Sequence, residues 1–254
     1  VPGTGPNVIG AWEFDKEEAS SYELGFKATL ADGVAELNGA LFYTEYDDLQ
    51  TSVFDGVVGF NVQNAGKATT QGMELDGRWM LHEYVTLSGS LGYLDFEFDD
   101  FDVAQCWFGQ AQLEPERVTN AALSQCDASG ERKEFTPEWK GVVTADFNYP
   151  VTDALELRAM VDLQYTDEYL WTPQLDPRSQ QDAFTKVNAR IALAESSSDT
   201  WEVALIGSNL TDERTHTYGG TGVLAGTLTG GTGMAYYAFT DRPRSYALQG
   251  TYRF

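Results

Sequence analysis

The sequence predicts an all-β fold, an antiparallel barrel that crosses a membrane with its strands, and three observations support this. Side chains alternate between apolar and polar over long segments, short and long connections alternate along the chain, and aromatic residues bound the apolar stretches. The 254 residues include 13% aromatic residues and 25 glycines, a composition typical of strand-rich proteins with tight turns.

The alternation has a period of two, which is the period of a β-strand. Between residues 155 and 166, for example, Leu157 and Leu163 lie on one face of the predicted strand, and Arg158 and Asp162 lie on the other. The same pattern predicts nine long strands. They lie near residues 19–30, 35–49, 68–82, 85–98, 136–149, 155–169, 183–193, 200–210 and 244–254.

The connections between these strands are of two kinds. Short ones are predicted at 31–33, 82–84, 150–153 and 195–199, and long ones at 50–67, 99–135, 170–182 and 211–243. Outer-membrane barrels are built in this way, with short periplasmic turns and long extracellular loops. A soluble sandwich would instead need its apolar faces to pack against each other.

Aromatic residues near the strand ends support a membrane location, because Trp and Tyr prefer the bilayer interface. The strands are long enough to span, since a transmembrane strand needs about 9–11 residues. The aromatic residues that bound the apolar stretches are Tyr22, Tyr43, Trp79, Trp139, Tyr149, Tyr165 and Trp201.

Orientation follows from the strand count. If the short turns are periplasmic, the last strand runs inward and Phe254 ends in the periplasm, and nine strands then place residues 1–18 outside the cell. A complete single-chain bacterial barrel has an even number of strands and begins in the periplasm. Either the alternation pattern does not reveal one of the strands, or the chain is the C-terminal part of a larger barrel.

Composition excludes several other classes of protein. The formal net charge is -23, from 39 acidic and 16 basic residues, which argues against nucleic acid and against an anionic membrane surface as partners. No run of about 18 apolar residues is present, so the sequence predicts no transmembrane helix.

The two cysteines, Cys106 and Cys126, lie in a polar stretch and would close a short loop. In an oxidising compartment such as the periplasm we expect them to form a disulfide, and two unpaired thiols are the alternative. A zinc site is not expected, because neither His82 nor His216 lies near them in the sequence. The sequence predicts no cofactor.

The sequence contains only two histidines, and this limits the catalytic sites that it could form. His82 is expected at a periplasmic turn and His216 in an external loop, so they should lie at opposite ends of the barrel. His216 with Asp212 and Glu213 is the only candidate constellation, and no Gly-x-Ser-x-Gly motif accompanies it. We therefore expect no enzymatic activity.

Acidic residues cluster at the expected outer end of the fourth strand. Calcium takes 6–8 oxygen ligands, but the spacing does not match an EF-hand, so a solvated acidic loop at 95–102 is favoured over a cation site. The cluster consists of Asp95, Glu97, Asp99, Asp100 and Asp102.

A glycine-rich run extends from Gly219 through Gly226 to Gly233. No Lys-Ser/Thr pair follows it, and no strand-to-helix context surrounds it, which argues against a phosphate loop. A flexible or turn-rich external loop is the ordinary interpretation.

Several stretches resemble the barrel of TonB-dependent outer-membrane receptors, and their order and spacing match across most of the chain. The segment 19–27, Ala-Ser-Ser-Tyr-Glu-Leu-Gly-Phe-Lys, is similar to a strand motif of that family, and residues 41–50 resemble the next strand. Asn64-Ala65-Gly66 with Gly72 and Glu74, the run Asn209-Leu210-Thr211-Asp212-Glu213, and the closing segment 243–254 resemble further family segments.

The resemblance implies a 22-stranded barrel with a plugged lumen. It implies active uptake of a scarce nutrient, commonly a ferric siderophore, driven by the TonB–ExbB–ExbD complex through a plug region that this sequence lacks. On this interpretation residues 1–18 are an extracellular loop and residues 19–254 are the C-terminal part of the barrel. Phe254 and Tyr252 resemble the signal that the barrel-assembly machinery reads.

The first functional hypothesis is therefore a part of a TonB-dependent transporter in the bacterial outer membrane, in contact with its lipid. Ligand contacts are expected in the loops at 99–135 and 211–243, because loops on a rigid scaffold carry function. A passive porin or structural barrel is the alternative. An outer-membrane hydrolase, the third hypothesis, would require His216.

Overall fold

A computed structural model of the chain describes residues 14–54, 60–197, 199–222 and 233–254. Within these residues, nine long strands form one antiparallel sheet in which each strand pairs with the next one along the chain. All nine predicted strands are confirmed, with ends shifted by no more than three residues. They are β1 (Glu18–Leu30), β2 (Ala35–Asp47), β3 (Lys67–His82), β4 (Val85–Asp100), β5 (Trp139–Thr152), β6 (Leu155–Thr166), β7 (Phe184–Glu195), β8 (Trp201–Ser208) and β9 (Ser245–Tyr252).

The turn predicted at 150–153 lies later in the structure. β5 continues through Pro150 to Thr152, and only Asp153 and Ala154 separate it from β6. The pairing register between β5 and β6 shifts between Pro150 and Thr152. Such an irregularity accommodates a proline, which cannot donate a ladder hydrogen bond, so proline does not mark the end of this strand.

The register collects the apolar positions of all nine strands on one side of the sheet. One row of paired residues, for example, joins Leu41, Met73, Tyr93 and Trp139 across β2 to β5. We call this side the apolar face and the opposite side the polar face. The polar face carries charged positions on most strands, among them Glu23, Lys27, Glu74, Asp76, Arg78, Lys140, Asp146, Arg158, Lys186 and Arg190.

Aromatic side chains form two belts on the apolar face, one at each end of the strands. The belt near the long connections contains Tyr22, Tyr43, Tyr93, Trp139, Tyr165 and Tyr246. The belt near the short turns contains Trp79, Tyr149, Trp201 and Tyr252. On β5 the belts are ten residues apart, about 33 Å along a strand.

The two belts also give the tilt of the strands. The row of paired residues that contains Tyr246 reaches β2 at Ala35, eight residues from Tyr43 of the same belt. Eight residues correspond to roughly 26 Å along a strand, and the seven strand spacings between them to roughly 34 Å. The belt therefore crosses the strands at a tilt of about 40°, and the belt from Trp79 to Trp201 gives the same value. This tilt is that of outer-membrane barrels, and it reduces the distance between the belts to about 25 Å.

The long connections contain regular structure of their own. They hold a hairpin of Gln50–Phe54 with Phe60–Asn64, a small sheet of Ala104–Gln105, Val118–Asn120 and Gln125–Cys126, the helix α1 (Gln110–Leu113), the pair Tyr169–Leu170 with Gln180–Gln181, and a hairpin of His216–Thr221 with Tyr236–Thr240. Short 3-10 segments lie at Ala31–Gly33, Pro115–Arg117 and Pro177–Ser179. Among the described residues, no helix has the length and apolar character that a membrane crossing requires.

The main hydrophobic core lies beyond the loop-end belt, on the polar face. Phe96 and Phe98 point to that face, where Ala68 and Tyr46 join them in the same rows. Connections 101–138 and 167–183 fold over these side chains, and Leu175 packs among them. We call these two connections the cap. They therefore cover the loop end of the polar face, and not the apolar face.

Candidate functional site at the cap

A buried carboxylate links the two connections of the cap to the hairpin His216–Thr221/Tyr236–Thr240. Asp176 has no exposed surface, and its two oxygens accept hydrogen bonds from Nε and Nη2 of Arg178, both at 2.9 Å. The hydroxyl of Tyr236, on the hairpin, donates a third hydrogen bond to Asp176. Burial raises the pKa of Asp176, but the hydrogen bonds from Arg178 and Tyr236 outweigh it, and the pKa lies below its ordinary value.

The Tyr236 hydroxyl is held in its neutral form by the same arrangement. Burial, together with the hydrogen bond to the Asp176 carboxylate, raises the pKa of Tyr236 to about 12. Tyr236 therefore donates to Asp176 over the whole physiological pH range.

Arg178 extends this link to the disulfide-bearing connection. Its guanidinium carbon lies 5.3 Å from the centroid of the Trp107 ring, 5.9 Å from that of Phe108 and 5.8 Å from that of Tyr236. Its Nη2 also donates to the carbonyl oxygen of Phe108. The Arg178 side chain remains about half exposed, at 48%. It therefore presents a fixed positive charge, flanked by aromatic rings, at the surface of an acidic protein.

Trp171 joins the cap to one face of the hairpin. Its indole stacks on the imidazole of His216 with the ring centroids 5.2 Å apart, and it meets the ring of Tyr236 edge-on at 6.1 Å. Gly219 lies against the indole so closely that a side chain there would collide with it. Trp171 is only 6% exposed, so this contact closes the cap against the hairpin.

The two cysteines lie within the cap. Cys106 and Cys126 form a disulfide with a Cα–Cα distance of 5.0 Å. Cys106 directly precedes Trp107, whose ring lies against Arg178. The disulfide therefore ties the segment that positions Trp107 to the strand Gln125–Cys126, in which Cys126 is buried.

The run Asn209-Leu210-Thr211-Asp212-Glu213 has a structural role at the base of the hairpin. The Asn209 amide donates to the carbonyl oxygens of Glu213 and Arg242, at 2.9 and 3.1 Å, and its oxygen accepts from the backbone N–H of Glu213. Asn209 has a φ of 50°, a conformation that asparagine tolerates better than most residues. The motif thus fixes the angle at which the chain leaves β8.

Asn64-Ala65-Gly66 has a similar role before β3. The Asn64 amide donates to the carbonyl oxygen of Asp48 at 2.6 Å, and the backbones of Leu49, Ala65 and Gly66 exchange two hydrogen bonds. Gly66 has a φ of +76°, and a β-carbon there would come within 2.5 Å of the carbonyl oxygen of Asp100. Glycine is therefore required at this position.

The histidines lie at opposite ends of the sheet, as expected. His82 ends β3 at a short turn, and His216 begins the hairpin. The imidazole Nδ1 of His216 pairs with Oε1 of Gln181 at 2.8 Å, and Asp212 instead forms an ion pair with Arg244. The structure therefore does not bring His216, Asp212 and Glu213 together as an acid–base group.

Four of the five residues of the acidic cluster lie in β4 and not in a loop, and Asp102 follows the end of that strand. Asp95, Glu97 and Asp99 occupy apolar-face positions of β4 beyond the loop-end belt, because Phe96 and Phe98 point to the core. Thr69 and Gln71 of β3 donate to Asp99 and Asp95. Across the described part of the chain, no group of three or more His, Cys, Asp or Glu side chains is arranged to hold a metal ion.

The glycine-rich run begins in a strand and not in a loop. Gly219 and Gly220 belong to the strand His216–Thr221, while residues 223–232 lie outside the described residues. Residues 1–13, most of the predicted extracellular segment 1–18, also lie outside them.

A network of charges lines the polar face near the short turns. Arg158 contacts Glu156 at 3.1 Å, Asp199 at 3.0 Å and Glu202 at 3.3 Å, and Arg190 also pairs with Glu202. These groups need water or a polar partner, because apolar surroundings would leave their remaining hydrogen-bonding capacity unsatisfied. The polar face is therefore the lining of an aqueous or protein-filled interior and not a lipid surface.

A tilted meander with a lipid-compatible face, a polar lining and long connections on one end defines an outer-membrane β-barrel protein. The family model described as TonB dependent receptor-like, beta-barrel matches residues 1–210, and the chain belongs to that family.

Individual relatives agree with this assignment. The pesticin receptor of Yersinia enterocolitica is 39% identical over 80 residues, which is 31% of this chain and 11% of that protein. The solved ferric yersiniabactin uptake receptor of Yersinia pestis is similar with a TM-score of 0.65 at 19% identity, and a siderophore receptor of Acinetobacter baumannii with 0.63 at 18%. The matches cover 92% of this chain but only 29% and 28% of those structures, so the chain spans less than a third of their length. The nine strands are accordingly part of a barrel that this sheet does not close.

Sequence reasoning placed ligand contacts in the loops at 99–135 and 211–243, and the structure joins both regions through the connection 167–183. Asp176 and Arg178 connect these regions, and the sequence did not predict a role for either residue. The only signal was an Asp-Pro-Arg run of ordinary loop composition, and loop pairing over such sequence distances leaves no local pattern.

Proposed function

We propose that this chain forms the closing part of the barrel of a TonB-dependent transporter that takes up a ferric siderophore across the bacterial outer membrane. The family assignment over residues 1–210 supports the transporter class. One of the similar solved structures is a siderophore receptor and another is a ferric yersiniabactin uptake receptor, which supports an iron–siderophore ligand over other scarce nutrients. A plug and the TonB–ExbB–ExbD complex would be the partners that such transport requires.

The cap supports a ligand-binding role at the outer end of the barrel. It covers the loop end of the polar face, which is the entrance to the lumen in a barrel of this family. Arg178, half exposed between Trp107, Phe108 and Tyr236, suits a ligand with an anionic oxygen group and a flat, conjugated surface. Binding and transport, and not chemistry on the ligand, are the roles that this site suits.

Uptake of iron tests this proposal. Cells that carry the full-length protein would be supplied with ⁵⁵Fe bound to a phenolate or a catecholate siderophore, or to citrate. We expect uptake of at least one complex, which stops when the proton gradient is dissipated. Uptake that persists without the gradient would instead identify a passive porin.

The role of Arg178 is tested in the same cells. Arg178→Ala should weaken binding of the transported complex by roughly tenfold or more, since a charge-assisted contact contributes about 1.5–3 kcal/mol. Arg132→Ala is the matched control, because Arg132 lies in the same cap with a similar exposure of 45% but pairs with Glu138 and not with Asp176. Equal binding by both variants would contradict the assignment of the site.

The barrel-assembly machinery is a further proposed partner. The rings of Tyr252 and Phe254 lie 5.2 Å apart, and both side chains are exposed. Phe254→Ala in the full-length protein should lower the amount of folded protein in the outer membrane, whereas Leu248→Ala, also exposed on β9, should not. Unchanged amounts for Phe254→Ala would refute the signal.

A further inference from the structure

The hairpin His216–Thr221/Tyr236–Thr240 has two chemically different faces. One face carries His216, Gly219 and Tyr236, all of which contact Trp171 of the cap. The pairing register places Tyr218 opposite Phe239 and Gly220 opposite Tyr237, so these residues share the other face. The hairpin is therefore fixed to the cap by one side only.

The second face is an exposed aromatic surface, which we call the aromatic patch. It consists of Tyr218, Tyr237 and Phe239, which are 56%, 45% and 62% exposed. Their ring centroids lie 6.0 to 6.5 Å from one another, so they form one continuous surface. The fourth member of this face, Gly220, is covered by the ring of Tyr237. No described residue of the patch is charged.

The direction of the patch follows from the position of the cap. Trp171 belongs to the connection whose Leu170 and Leu175 pack on the polar-face core, so it lies on the lumen side of the barrel wall. The face of the hairpin that contacts Trp171 is therefore directed toward the lumen. The opposite face, with the aromatic patch, is directed away from the lumen, as is the apolar face of the sheet.

The position of the patch along the barrel axis follows from its distance to the loop-end belt. Tyr246 belongs to the loop-end belt, and Phe239 precedes it by seven residues, which span at most about 25 Å. The base of the hairpin is held to the wall by Lys186, which contacts both Thr215 and Asp241. The patch therefore lies above the aromatic boundary of the lipid-facing surface and within about 25 Å of it.

We propose that the aromatic patch is a lipid-contact surface, which extends the membrane-facing side of the barrel into the headgroup and sugar layer of the outer leaflet. Tyr218 and Tyr237 suit this layer, because a tyrosine ring contacts apolar groups while its hydroxyl remains hydrated, and the ring of Phe239 adds apolar contact area. The absence of charge on the patch avoids repulsion from anionic headgroups, unlike the carboxylates of β4. The proposal rests on the outer-membrane location of the chain.

Site-directed spin labelling of the full-length protein in vesicles of phospholipid and lipopolysaccharide tests this proposal. Both cysteines of this chain are paired in the disulfide, so an introduced cysteine gives one new label site in it. Three single variants would be labelled: Tyr237→Cys in the patch, Ala238→Cys on the opposite face of the same strand, and Leu248→Cys on the apolar face of β9. Ala238 is exposed, which makes it a matched control.

The measurement is the collision rate of each label with a water-soluble nickel complex. We expect the label at position 237 to be several-fold less accessible than that at 238 in lipopolysaccharide vesicles, and equally accessible in detergent. Equal accessibility of 237 and 238 in vesicles, with position 248 protected, would overturn the proposal alone. An accessible position 248 would instead refute the membrane location. Dipolar coupling between labels at 237 would show contact with a second copy and would also overturn it.

Discussion

Gly219 lies directly beneath the indole ring of Trp171, so that a β-carbon at Gly219 would come within 2.2 Å of Cε3 of Trp171. The residues are 48 positions apart and belong to different connections of the sheet. Their contact closes the cap against the hairpin, and with the Asp176 carboxylate it joins three long connections into one unit.

Gly219→Ala should displace the hairpin from the cap, because the new methyl group has no room beside Trp171. We expect a red shift of the tryptophan emission and faster proteolysis of the hairpin. Gly250→Ala is the matched control, since a β-carbon at this strand glycine meets no atom within 4 Å. If both variants behave like the wild type, the contact with Trp171 is not tight.

Asp176→Asn should loosen the cap. The substitution removes a charge-assisted partner of Arg178 and Tyr236 at a fully buried position, at a cost of roughly 1–3 kcal/mol. Limited proteolysis of the full-length protein should then cut within 101–138 or 167–183. Asp102→Asn, at an exposed position of the same cap, should leave the cleavage pattern unchanged.

The cap should also respond to acid. The folded pKa of Asp176 lies below its ordinary value of 3.8, so the ionised carboxylate contributes stability that is present above that value. This contribution is lost as the pH falls through the lowered pKa of the folded state. We expect proteolysis of the cap by an acid-active protease to increase only below roughly pH 4, the ordinary range of a carboxyl group. In Asp176→Asn the same rise should be absent.

Loss of the disulfide should destabilise the cap more than the sheet. Cys106 and Cys126 are separated by 20 residues, and closing a loop of that size contributes about 3 kcal/mol in the chain-entropy account. In the double variant Cys106→Ser/Cys126→Ser we expect faster hydrogen exchange in residues 104–126 and unchanged exchange in β5 to β7. Wild-type protein treated with reductant should match the variant, and uniform exchange in all three would contradict a tethering role.

Asn209→Asp tests the donor role of the Asn209 side chain separately from its acceptor role. The aspartate keeps the acceptor for the backbone N–H of Glu213 but loses the donors to the carbonyl oxygens of Glu213 and Arg242. We expect destabilisation of the hairpin base by roughly 1–3 kcal/mol, measured by hydrogen exchange. Asn148→Asp, at an exposed position on β5, should change exchange little.

The sequence by itself determined the sheet. Alternation with period two is a local property of the chain. A register slip of one residue would move every charged side chain of a strand from the polar face to the apolar face. The nine strands and their two faces therefore follow from the pattern. Trp79, Trp139 and Tyr149 bound the apolar face for the same reason, because an interface prefers these residue types and does not require particular partners.

Only the tertiary structure decided what the long connections do. β4 extends to Asp100, two residues beyond its predicted end, and there Phe96 and Phe98 meet Leu175, which lies more than 70 residues away. Asp176, Arg178 and Tyr236 carry no motif, and their meeting depends on how three connections fold over the polar face. Packing between distant segments is cooperative and leaves no periodicity in the chain. The sheet could therefore be predicted from the sequence, whereas the cap is known only from the structure.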